Sequence, residues 1–215
     1  MIIGLAGAML AAGCAHIPSG VNVTSIAHPR QAYSEKFPAA FISRGSGGDF
    51  HIVLLKDDAG REPKHDTGAP IQPLALGEVR QVMDIHIFWQ PMRETKPDNP
   101  SATNAAIDWY LVRAGEDGKI TGLAEYKGAG LVTASLAEDS AGVLIRSGTL
   151  QPTRVEGDIS DPIGTMKITG RFDVVHRPVA VTDVLRELDK LKTSGVGGPV
   201  DAVKLTEPAA SARVP

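Results

Sequence analysis

Apolar and polar residues alternate most regularly between Gly164 and Val175, where Met166, Ile168, Phe172 and Val174 fall on one side and Thr165, Lys167, Thr169, Arg171 and Asp173 on the other. A period of two over this length predicts a strand with one face buried and one wet. Gly170 stands on the apolar side at its centre, where a bend or a close backbone approach is expected. Similar runs rich in Val, Ile, Thr and aromatics cover Phe37 to Ser43, Asp49 to Lys56, Val79 to Trp89, Ala105 to Arg113, Lys119 to Lys127, Leu131 to Ala137 and Val143 to Leu150. Short punctuation such as Glu116-Asp117-Gly118, Gly128-Ala129-Gly130 and Glu138 to Gly142 reads as hairpin turns, which favours antiparallel neighbours. These runs predict a mainly-β chain, a single antiparallel β-sandwich or barrel of about eight strands.

After Arg177-Pro178 the period changes. Val184, Leu185, Leu188 and Leu191 recur at helical spacing, with Arg186, Glu187, Asp189 and Lys190 on the remaining surface. This predicts one C-terminal amphipathic helix, opening at Val181 or Thr182 and ending at Gly195, packed on the sheet as a cover for a face or an edge.

The first residues follow another rule. Ile2 to Ala12 is apolar, about the length of the hydrophobic part of a secretory signal and well short of the ~20 residues of a membrane-spanning helix. It leads into Leu10-Ala11-Ala12-Gly13-Cys14, which resembles the lipobox of bacterial lipoprotein precursors. That resemblance implies a signal peptide over 1–13, a lipid on Cys14, export, and attachment to a membrane through the lipid, at the periplasmic face or the cell surface. The expected domain plan is then a flexible tether over 14–34, an all-β domain with its helix over 35–193, and a disordered Gly-, Ala- and Pro-rich tail over 194–215.

Composition narrows the partners. The net charge of -3, with basic residues scattered among acids, gives no broad positive field, so nucleic acid is excluded as an expected partner. Cys14 is the one cysteine, which rules out an intrachain disulfide and any cysteine-based metal cluster. The Gly-x-Ser-x-Gly and His-Glu-x-x-His signatures of hydrolases are absent, and Arg44-Gly-Ser-Gly-Gly48 lacks the ending of a phosphate loop and reads as a turn.

Two groups of residues carry candidate chemistry. Asp49-Phe50-His51-Ile52 and Asp84-Ile85-His86-Ile87 share the pattern Asp-apolar-His-Ile. On a strand, Asp49 and His51 share a face, as do Asp84 and His86, so pairing of the two strands would gather two imidazoles and two carboxylates. That donor set suits zinc or a non-haem metal. The second group is aromatic: Phe88, Trp89, Trp109 and Tyr110 flank a polar, proline-stiffened loop from Gln90 to Asn104. If the flanking strands form a hairpin, Trp89 and Trp109 would make a platform beside Arg93, Lys96, Asp98 and Asn104 for a small polar ligand. The alternative is that the tryptophans are core residues and the loop an ordered cover.

The expectation from sequence is therefore an exported lipoprotein serving as a non-enzymatic binding or assembly module of the cell envelope, with an envelope protein or small polar ligand as partner. A metal-binding protein or metal-dependent enzyme using the His/Asp cluster is the first alternative. A lipocalin-like carrier of an apolar ligand is the second.

Overall fold

A computed structural model describes residues 20–30, 32–56, 80–90, 102–115, 119–159 and 164–198. The chain is mainly β, with strands β1 (Gly20–Ser25), β2 (Ala32–Glu35), β3 (Ala39–Arg44), β4 (Phe50–Lys56), β5 (Arg80–Ile87), β6 (Ala105–Ala114), β7 (Ile120–Leu136), β8 (Ser140–Gly157) and β9 (Met166–His176), followed by helix α1 (Pro178–Ser194). All nine strands belong to one sheet in the order β2-β1-β9-β3-β4-β5-β6-β7-β8, and β8 also pairs with β9. The sheet therefore returns on itself as a ring of strands. Every pairing is antiparallel except a two-residue parallel contact of β3 with the end of β9 at Phe41↔Val175 and Ile42↔His176.

The period-two alternation sorts side chains into two cores. Facing inward, Phe50, Ile52, Leu54, Met83, Ile85, Ile87, Ile107, Trp109 and Tyr126 join residues of β8 and β9 in one contiguous buried cluster. Facing outward, Val53, Leu55, Val82, Tyr110, Val112 and Leu123 are covered by Val181, Val184, Leu188 and Leu191 of α1. Those four helical residues are buried, and full burial of an aliphatic side chain stabilises by roughly 1.5–3 kcal/mol as an upper estimate. The helix covers one part of the outer face. The remainder of that face carries the polar residues discussed below.

Several boundaries differ from the reading of the sequence. The segment expected as a tether contains β1 and β2, with Val21 and Val23 fully buried. Gly20–Ser25 does alternate, but a strand this short is stable because β9 pairs along its whole length, from Gly20↔Arg171 to Ser25↔Met166. Gly170 provides the expected close approach: a Cβ there would lie 2.8 Å from the carbonyl oxygen of Gly20. Gly128-Ala129-Gly130 is no turn but the middle of β7, which runs unbroken for 17 residues. A Cβ on Gly128 would meet the Thr149 carbonyl oxygen at 1.8 Å, so glycine serves backbone contact with β8 here.

The helix opens at Pro178, earlier than expected. Proline lacks the N–H that a first helical residue leaves unused, so it starts a helix without loss. Gly195 ends it as expected, at φ 60°, with its N–H donating to the Leu191 carbonyl at 3.0 Å. The first residues of the expected tail are ordered against β7: Gly197 N–H donates to the Ile120 carbonyl and Ile120 N–H to the Gly198 carbonyl, both at 2.9 Å. Residues 1–19, with Cys14, and 199–215 lie outside the described residues. Among the described residues no helix is long and apolar enough to cross a membrane.

Candidate functional site

The two Asp-apolar-His-Ile segments are neighbours. β4 and β5 pair antiparallel in a register that sets His51 directly opposite His86. Each segment folds the same way for the same reason: Phe50 and Ile52, like Ile85 and Ile87, turn into the inner core and force the intervening histidine outward. The two imidazoles stack with centroids 3.9 Å apart and planes 16° from parallel.

The carboxylates reach across the strand pair. Asp49, in the turn just before β4, lies with Oδ2 3.0 Å from Nε2 of His86. Asp84, on β5, faces Nδ1 of His51 at 3.7 Å, an ion-pair distance. The hydrogen bond with His86 holds the Asp49 carboxyl below its ordinary range. Asp84 holds the His51 imidazole above its ordinary value, against the opposing effect of burial. One donor atom each from Asp49, His51 and His86 lie within 4.8 Å of one another. Asp84 stands behind His51 and is not among these three, in the position of an outer carboxylate that fixes an imidazole and leaves its Nε2 for a metal.

Glycine shapes the approach of Asp49. The turn from Arg44 to Asp49 is closed by Gly45 N–H donating to the Asp49 carbonyl at 2.9 Å, and Gly48 adopts φ 86°. A Cβ on Gly45 would fall 2.1 Å from Oδ1 of Asp49. The Gly-Ser-Gly-Gly segment, read from sequence as a plain turn, thus also makes room for a site carboxylate.

Asp108, Glu125 and Lys127, which the sequence reading passed over, continue the polar face beside Tyr110 of the aromatic group. Asp108 on β6 lies directly opposite Asp84, and Lys127 on β7 opposite Asp108. Burial raises the Asp108 carboxyl, with Lys127 pulling the other way, and the Tyr110 hydroxyl donates to it at 3.2 Å. Tyr110 is pushed far above its ordinary value by burial, then by the charges of Asp108 and Glu125. Lys127 pairs with Glu125 at 3.0 Å. Period-two spacing of Asp108 and Tyr110 was the available signal, but alternation of this kind marks any half-exposed strand. Phe88 extends the site on the other side, its ring 4.4 Å from that of His86 and tilted by 59°.

The aromatic platform does not form. β5 and β6 are a hairpin, as expected, but Ile87 pairs with Ala105 and Trp109 with Met83. Trp109 is fully buried in the inner core against Tyr126, whereas Trp89 lies beyond the end of β5 and is 41 % exposed. A hairpin partner is equidistant from the loop, so a residue five places into β6 cannot meet one beyond the end of β5. Asn104 is structural: its Nδ2 donates to the carbonyls of Trp89 and Val132 at 2.7 and 2.8 Å, and its Oδ1 accepts from Val132 N–H at 2.8 Å. Arg93, Lys96 and Asp98 lie outside the described residues.

Comparison with models of known protein families, with curated proteins and with solved structures finds no match to this chain.

Proposed function

We propose that the chain is an exported binding module, tethered to a membrane by lipid on Cys14, whose outer-face site holds a divalent transition-metal ion through Asp49, His51 and His86. The observation that carries the metal reading is the convergence of these three donors within 4.8 Å. Donors bonded tetrahedrally at ~2.0–2.2 Å stand about 3.3–3.6 Å apart, so modest side-chain rotations close the site. Two imidazoles and one carboxylate, without thiolate, suit zinc or non-haem iron over copper(I), calcium or magnesium. The inward side chains form one packed cluster, which favours a site on the outer face over a carrier's interior chamber.

Metal analysis of the purified full-length chain, beside the chain with both His51→Ala and His86→Ala, tests the metal reading. Stoichiometric metal in the first and none in the second is expected; none in either overturns it and leaves the stack a structural contact. The tether is supported by the Leu10–Cys14 segment alone, and mass spectrometry finding an unmodified Cys14 with Met1 retained would overturn it.

A further inference from the structure

We propose that the Asp49–His51–His86 site keeps one coordination position open beside Phe88, and that a monoanionic carboxylate with a flat apolar body binds there. The inference rests on the metal reading above. A tetrahedral ion has four positions, and three protein donors fill three of them. Asp84 does not supply the fourth, being turned to Nδ1 of His51. The site is also open to solvent, since the side chains of Asp49, His51 and His86 are 29, 27 and 29 % exposed. A structural metal site is closed, whereas one with an open position takes a ligand.

The surroundings define that ligand. Phe88 packs one side of its ring on His86 yet remains 54 % exposed, an apolar surface beside the metal donors. Across the strands from His86 come Ala106 and then Ala129, two small side chains in register with it. A planar group lying over Ala106 beside His86 would meet the Phe88 ring, an arrangement that aromatic pairs favour. Charge sets the ligand's headgroup. A divalent ion with one ionised carboxylate and two neutral imidazoles carries a formal charge of +1, which one carboxylate neutralises. Asp84, beside His51, opposes a second negative charge.

The test loads the full-length chain with Co2+ and follows its visible ligand-field bands while benzoate or acetate is added. Benzoate is expected to shift the bands and to bind about tenfold more tightly than acetate, a preference of the size one aromatic contact provides. Phe88→Ala should erase the preference while leaving the Co2+ spectrum intact. Ala106→Leu, which puts a larger side chain beside His86, should weaken benzoate more than acetate and gives the same test through a second residue. A normal Co2+ spectrum that is indifferent to benzoate, or a preference that survives both substitutions, overturns this inference alone. Failure to bind Co2+ at all overturns the metal reading and this inference with it.

Discussion

His51 and His86 face each other across the β4–β5 pair, and each takes its aspartate from the other's Asp-apolar-His-Ile segment: Asp49 reaches over to His86, and Asp84 to His51. The arrangement is crossed, so neither histidine can move without disturbing the partner's carboxylate. Two imidazolium rings at 3.9 Å would repel, while two neutral rings held by carboxylates can offer nitrogen lone pairs to a cation.

Removing either imidazole should abolish stoichiometric metal. Asp84→Asn should leave the stoichiometry unchanged at saturating metal but weaken affinity by roughly 10–100-fold, the usual loss when a partner behind a ligand histidine is changed. Competition against a chromophoric chelator measures both.

Protons compete with metal for His51. Because Asp84 raises that imidazole, affinity should begin to fall on acidification at a pH above ~6.5, the ordinary histidine value. In metal-free protein the sign reverses. A histidine raised in the folded state contributes stability that is fully present below about pH 6.5 and lost as pH rises through its folded value. Thermal unfolding of the metal-free chain should therefore show this contribution shrinking on the alkaline side, and Asp84→Asn should flatten the dependence.

Gly45→Ala separates site geometry from stability. The new methyl group would displace the Asp49 carboxylate, which is free to rotate into solvent, so metal affinity should fall by an order of magnitude or more while the urea midpoint moves little. A loss of stability with unchanged affinity would mean that the turn backbone moves and Asp49 stays.

Asn104→Ala should cost about 2–4 kcal/mol in urea unfolding. It removes three hydrogen bonds and leaves both backbone groups of buried Val132 without this partner, at roughly 1–3 kcal/mol for each group stranded in the interior. Metal binding at His51 and His86 should survive.

Much of the sheet was legible because its strands alternate strictly: the run through Met166–Val174 and the outward histidines were readable from period two. The Asp-apolar-His-Ile segments also announced which side chains share a face. Their pairing was not legible, since residues 57–79 separate the two strands and no hairpin signal joins them. The aromatic platform failed on register, which follows from loop geometry and from which face is buried. The glycines of β7 looked like a turn because glycine serves turns and close backbone contacts alike. β1 escaped notice because its stability resides in β9, more than 140 residues away along the chain.

β9 has a further consequence. Among the described residues it is the last strand, and β1, β3 and β8 all pair with it. A chain made from its N-terminus onward therefore carries three unsatisfied strand edges until Met166–His176 is available, and such edges invite pairing with other chains. Native closure must wait for Met166–His176, and the many long-range pairings make it slow. A chain cut after Ile159 should never settle into a soluble fold, whatever the quality of its remaining strands.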